Sequence, residues 1–198
     1  MKIIETHAKR ETDEKLLTAD DLLRLCSEGV RGELVRGVLH ETMSTGHRHG
    51  TIVTRLILRL GNFVEPRGLG TLVASDSGVW LERDPDTVRE PDIAYTSAAK
   101  IPLDADIPGY PEEVPDLVVE VKSPSDSRRY AHERGRMWVD YGVRIAWVLY
   151  PETRTAEVHR PDQPVVVIDS DGTLDGADVL PGFTCPLNSI FVHPTQAS

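Results

Sequence analysis

The sequence predicts an α/β chain built on a mixed β-sheet flanked by helices, and three observations carry that prediction. The run from Asp116 to Ser125, "DLVVEVKSPS", is apolar and β-branched and reads as a buried central strand. Apolar residues at helical spacing precede it between His49 and Val64 and follow it between Tyr130 and Tyr141. The elements come in the order β, α, β, β, β, α, β, β, β, which suits a sheet with helices packed on it.

The chain has 198 residues and a mass of 22.0 kDa, enough for one domain with a substantial core, and no internal repeat or long linker divides it. The expected organisation is a mobile, charge-dense arm over residues 1–15, a single domain over 16–193 and a short tail over 194–198. "MKIIETHAKRETDEK" lacks the continuous apolar core of a secretory signal, and no stretch approaches the roughly 18 apolar residues of a membrane span. A soluble, cytoplasmic protein with no membrane partner is therefore expected. Cys26 and Cys185 form neither a close metal-ligand pair nor a disulfide framework, so reduced thiols are the default. A formal charge of −10 and a pI near 5.1 argue against binding nucleic acid through a broad basic surface. A nuclease stays open, because clustered metal-binding carboxylates also lower the pI and a local basic patch can supply the contact.

Thr18, three residues before Asp21 and ahead of Leu22, Leu23, Leu25 and Cys26, marks a capped short helix ending before Gly29. Gly37 then divides a hairpin of Glu33 to Arg36 with Val38 to Thr42. From His49, Ile52, Val53, Leu56, Ile57, Leu60, Phe63 and Val64 recur as pairs stepping by three or four, an amphipathic helix stopped by Pro66 and Gly68. "TLVASDSGVWLE" and "REPDIAYT" read as strands with "RDPDT" as the turn between them, and "KIPLDADIPGYPEEVP", with four prolines, reads as a loop. After the central strand, "SPSDS" starts a helix that ends at Gly142, followed by strands in "RIAWVLY", "TAEVHR" and "PVVVID".

Strand side chains alternate, so Val118, Glu120 and Lys122 share one face of the central strand while Leu117, Val119 and Val121 line the other. An acid and a base in a buried run need partners, since an unpaired buried charge costs on the order of several kcal/mol. Upstream, Asp92 in "EPDIAY" starts a strand that can lie beside that of Glu120. Two carboxylates about 4 Å apart repel by roughly 4 kcal/mol at an effective dielectric near 20, so Asp92 and Glu120 would share a cleft only with a counterion. Mg²⁺ or Mn²⁺, which take hard oxygen ligands, would serve.

An acid beginning one strand and Glu-x-Lys on the next, here Pro91-Asp92 and Glu120-Val121-Lys122, resembles the PD-(D/E)XK nuclease superfamily. The wider run of "GELVRGVL", "HGTIVTRLILRLGNFVEPRGLG", "REPDIAY", "PDLVVEVKSPSDS", "YGVRIAWVLYPETRTAEVHRP" and "LPGFTCPLNSIF", in that order, closely resembles the bacterial Uma-two family of restriction-endonuclease-like proteins, from about residue 18 to residue 191. The resemblance implies a restriction-endonuclease-like core, a divalent metal and hydrolysis of DNA phosphodiester bonds, and family habit suggests a homodimer. It implies metal ligation by Asp92, Glu120 and the Val121 backbone carbonyl, with Lys122 orienting water or supporting charge on the phosphate and Glu33 as a further metal or water ligand. His49 matches a family position at the start of the long helix and takes a substrate or proton-transfer role. The family tends to carry a lysine in the helix after the central strand where this chain has Arg134; an arginine there can bind phosphate but cannot act as a base. Many members carry an apolar residue in place of Lys122.

Plainer readings stand beside these. Asp92 can simply begin a strand, Glu120 and Lys122 can form an ion pair on an exposed strand, and Glu33 can be a solvated acid near a hairpin. Arg128, Arg129, Arg134 and Arg136 can be a solvated helix face, or, beside a phosphodiester site, the missing basic patch, with Arg128 and Arg134 as substrate contacts. His47 and His49 lack the i, i+4 spacing of a helical metal pair. Trp80, Trp138 and Trp147 read as core. A catalytically silent nuclease-fold protein that binds nucleic acid or a protein partner is the alternative function, and RNA or a small phosphodiester would use the same residues as DNA.

Overall fold

The structure is a computed structural model that describes residues 16–191; the arm expected over 1–15 and the tail over 194–198 lie outside them. Helix α1 (Ala19–Ser27) precedes the hairpin β1 (Gly32–Val35) and β2 (Val38–Glu41), helix α2 (His47–Val64) and strands β3 (Gly70–Ala74), β4 (Val79–Glu82), β5 (Thr87–Arg89), β6 (Ile93–Ser97) and β7 (Leu117–Val121). Helix α3 (Arg128–Asp140), strands β8 (Ile145–Tyr150), β9 (Thr155–His159), β10 (Val166–Ile168), β11 (Thr173–Asp175) and β12 (Thr184–Pro186), and the short helix α4 (Asn188–Phe191) complete the order.

Local chemistry sets the boundaries. Thr18 and Asp21 cap α1 reciprocally, each side chain accepting the other's backbone N–H at 3.2 and 3.1 Å. Helix α2 runs into a 3₁₀ turn containing Pro66 and ends where Gly68 takes a left-handed conformation, φ 59°. The Ser127 side chain caps α3 by accepting the Tyr130 N–H.

Six strands form the main sheet in the order β10-β9-β8-β7-β6-β3, and β7–β8 is its parallel pair, the neighbours being antiparallel. Parallel strands need a crossover, and α3 supplies it. Leu117, Val119 and Val121 face a core filled by α2 and by Leu180, Phe183, Cys185, Leu187 and Ile190 of the C-terminal segment. Val118 faces the other side, where Trp138 of α3 packs with Ala94 and Ala146. The alternation expected along the central strand holds as far as Val121, where β7 ends.

A second sheet, β2-β1-β5-β4, carries α1 through a smaller cluster of Ala19, Leu22, Leu34 and Val88. The segment "TLVASDSGVWLE" is two strands in two sheets: β3 pairs with β6, β4 with β5. Asp76 breaks it at φ 69°, and a Cβ on Gly78 would lie 2.6 Å from the Tyr110 ring, so glycine lets the chain pass beneath that ring. Both described cysteines are free thiols, and no helix among the described residues is long and apolar enough to cross a membrane.

At the start of β7, Asp116 ties the sheet to its loops: its carboxylate accepts the Ser97 N–H at 2.9 Å and sits 3.1 Å from the Lys100 ammonium and 3.7 Å from the Arg144 guanidinium. Burial alone would raise its pKa, but the Ser97 N–H and hydroxyl and the Lys100 charge outweigh burial and hold it below the usual carboxylate value. A depressed folded pKa stabilises the chain above the unfolded value of roughly 3.9, and that contribution disappears as pH falls through the folded value. Asp116→Ala should cost about 1–3 kcal/mol at pH 7, mostly by leaving a buried N–H without an acceptor. Urea titrations of both proteins should show the gap narrowing below pH 4.

Candidate active site

Glu120, one residue from the end of β7, points towards α3 and is 7 % exposed. Arg134 and Trp138, one helical turn apart, converge on it: Arg134 Nη2 donates to Glu120 Oε1 at 2.7 Å and Trp138 Nε1 donates to the same oxygen at 2.6 Å. Arg134 Nη1 also donates to both oxygens of Glu33 on β1, at 3.0 and 2.9 Å, and Nη2 reaches Glu33 Oε1 and the Glu90 carbonyl at 3.0 and 3.1 Å. Glu33 further accepts the Glu90 N–H at 2.9 Å and lies 3.3 Å from Arg89. One buried guanidinium thus joins α3, the first hairpin, the segment before β6 and the central strand.

Asp92 lies one residue before β6, and its Oδ2 accepts the Val121 N–H at 2.7 Å. His49, in the first turn of α2, places Nε2 3.1 Å from the same oxygen. An N–H and C=O of one strand residue point the same way, so the Val121 carbonyl also turns towards β6. Continuing the register from the Ile93–Val119 pair puts Pro91 opposite Val121, and a proline has no N–H to offer that carbonyl. Asp92 Oδ1 and Glu120 Oε2 accept no hydrogen bond among the described residues, so each carboxylate has one oxygen fixed by protein donors and one uncommitted.

Around these groups opens a cleft of about 940 Å³, lined by Arg31, Glu33, Glu90, Asp92, Glu120 and Arg134, with the loops 42–46 and 123–126 at its edges. Its electrostatics are divided. Burial, helped by the Asp92 charge, pushes Glu120 up to about 7 against the opposing pull of Arg134 and Trp138. Burial would raise Glu33 too, yet Arg134, Arg89 and the Glu90 N–H hold it below the usual value. Glu90 is pushed up to about 7 by burial and then by the Glu33 and Asp76 charges. For His49, burial would favour the neutral ring, but the hydrogen bond and charge of Asp92, followed by the Val121 carbonyl, raise its pKa instead.

The structure brings Glu33, His49, Asp92, Glu120, the Val121 backbone and Arg134 together. Lys122, beyond the end of β7, turns its Nζ onto Glu152 Oε1 and the Ser123 carbonyl, both at 3.0 Å, and does not line the cleft. Arg128 pairs with Glu157 at 3.2 Å and lies 4.4 Å over the Tyr150 ring, outside the cleft lining. Arg89, Glu90 and Trp138 are site residues that the sequence reading did not select as such. Trp138 follows Arg134 by four, so helix periodicity was the signal for it; Glu90 and Asp92 lie in the link between β5 and β6, where no periodicity marks them.

A family model named Uma2 and described as "Putative restriction endonuclease" matches residues 19–188. No curated protein matches the chain. Among solved structures, the chain is similar to a crystal structure from Anabaena variabilis described as a putative nuclease belonging to DUF820, with a TM-score of 0.76 and 20% identity over 88% of this chain and 97% of that one. The likeness establishes the fold, a mixed α/β architecture with helices flanking the sheet.

The geometry makes Arg134 the clamp of the site. Arg134→Met leaves Glu33 and Glu120 as buried carboxylates without their shared cation and should cost about 3–5 kcal/mol. Trp138→Phe removes one donor and keeps the ring, costing about 1–3 kcal/mol. Urea unfolding at pH 7 compares them; equal losses would show that the guanidinium does not hold the site together.

Proposed function

The chain belongs to the Uma2 family of restriction-endonuclease-like proteins, and on that premise we propose that it is a metal-dependent endonuclease that hydrolyses DNA phosphodiester bonds. The observation that carries this reading is the pair of uncommitted oxygens, Asp92 Oδ1 and Glu120 Oε2, beside a backbone carbonyl with no ladder donor. Carboxylate and carbonyl oxygens are the ligand set that suits Mg²⁺ or Mn²⁺, so Asp92, Glu120 and the Val121 carbonyl would hold that ion. When bound, the ion supplies Lewis-acid polarisation of the scissile phosphate and lowers the pKa of a coordinated water.

The chain's own groups do the rest. Arg134 and Trp138 fix Glu120 Oε1 so that Oε2 faces the cleft, and Glu33 holds Arg134 in place, acting on the metal ligand through the guanidinium. His49, with Nε2 3.1 Å from Asp92 Oδ2, is the group placed to pass a proton to the leaving oxygen. Lys122 supports charge developing on the phosphate once it turns into the cleft, which requires leaving Glu152 and the Ser123 carbonyl. Arg31, 62 % exposed at the cleft rim and held there by a surface pair with Asp76 at 3.2 Å, and the first turn of α2, whose N-cap Gly46 makes no side-chain cap, offer positive charge and N–H groups to a phosphate. These local features give an acidic chain a place for DNA, and a homodimer would present two clefts to two strands.

Purified protein incubated with supercoiled, linear and single-stranded DNA, and with RNA, in Mg²⁺ or Mn²⁺ tests the reading. Metal-dependent DNA cleavage should fall at least about 10²-fold in Asp92→Ala and Glu120→Ala. Cleavage that survives both substitutions would overturn it. Metal that raises the melting temperature while every substrate stays intact would favour instead a silent fold that only binds, which the prior neutralisation of Glu120 by Arg134 makes the second reading.

A further inference from the structure

We propose a second metal site, distinct from the cleft, at which His132, Glu157 and His159 bind one Zn²⁺ or a similar borderline divalent ion. One ligand atom from each of the three lies within 4.8 Å of the others. Glu157 and His159 are two residues apart on β9 and so share a face, and His132 meets them from α3. Glu157 Oε2 is 2.7 Å from His132 Nδ1 and 3.3 Å from His159 Nε2, and the two imidazoles are 5.0 Å apart between centroids.

The independent sign of a missing ligand is His159. Its side chain is 4 % exposed, and its buried Nε2, although only 3.3 Å from Glu157 Oε2 inside the cluster, is not aligned for a hydrogen bond to it. A buried imidazole nitrogen without an aligned hydrogen bond is uncommon and costly. A tetrahedral ion with bonds of about 2.0–2.2 Å would sit among donors about 3.4 Å apart, within the spacing seen here. Two imidazoles and one carboxylate are a donor set for Zn²⁺ rather than for Mg²⁺, which separates this site chemically from the all-oxygen cleft. Arg128 holds the other carboxylate oxygen, Oε1, at 3.2 Å from a position 54 % exposed, which leaves Oε2 to the imidazoles. His132 is 43 % exposed, so a fourth coordination position opens to solvent. Occupancy would fasten α3 to β9 two residues before Arg134.

Untagged, metal-stripped full-length protein is titrated with Zn²⁺ by calorimetry and with Co²⁺ by visible absorption, beside His132→Ala and the cleft double variant Asp92→Ala/Glu120→Ala. His132 is half-exposed, so its truncation leaves the core intact, which circular dichroism verifies. The expected result is one Zn²⁺ per wild-type chain with visible Co²⁺ bands, retained in the cleft variant and weakened at least tenfold in His132→Ala. Zn²⁺ affinity unchanged by His132→Ala, or lost with the cleft carboxylates, would overturn the site.

Discussion

The architecture of the site depends on the burial of one cation. Arg134 is 12 % exposed in its side chain, and a guanidinium in that position is tolerable only because Glu33 and Glu120 accept from it on both of its terminal nitrogens. A planar fork with fixed donors can serve two carboxylates and a carbonyl at once, whereas a lysine ammonium is a compact charge with three rotating donors and no fixed fork. The arginine stays charged at any accessible pH, so the carboxylates it holds cannot lose their partner by deprotonation. The stability of α3 against the sheet and the direction of Glu120 are therefore the same fact seen from two sides.

That clamp also divides the acids by function. Glu33 has two arginines and a backbone N–H and is kept ionised; Glu120 shares one arginine, stands near Asp92 and is the more reluctant to ionise. Removing a charge pair of this kind for an apolar core would stabilise many folds. Here it would also remove the force that turns one Glu120 oxygen to Trp138 and leaves the other to the cleft. Asp92 shows the same division by different means, with the Val121 N–H and His49 on one oxygen and none on the other.

Much of this was legible in the sequence because it rests on short-range periodicity. The alternation in "DLVVEVKSPS" put Val118 and Glu120 on one face, and the capping residues and glycines bounded α1, α2 and α3 as expected. Lys122 departs because alternation applies only inside a strand: β7 ends at Val121, and past that point Glu152, thirty residues away in sequence, sets the side chain's direction. Trp138 read as core and is fully buried, but its indole N–H is also a polar handle, and which acceptor it finds is a property of the α3 crossover. The split of "TLVASDSGVWLE" between two sheets likewise depends on Tyr110, a distant residue that makes Gly78 a crossing point.

The crossover explains why the sequence places its chemistry where it does. A parallel β7–β8 pair forces the chain to leave the end of β7, cap a helix at Ser127 and run back across the sheet. The buried face of that helix is Ala131, Gly135 and Trp138, and at Gly135 a Cβ would come within 2.5 Å of Val148 and 2.8 Å of His159 Nε2. Small residues at 131 and 135 let α3 lie close to β8 and β9, and this close approach brings Arg134 and Trp138 within hydrogen-bonding reach of an acid on β7. A helix held farther off would need longer side chains to reach Glu120 and would fix it less precisely. Tight packing at Gly135 thus does for the geometry of the acid what Arg134 does for its charge, and both follow from making β7 and β8 parallel.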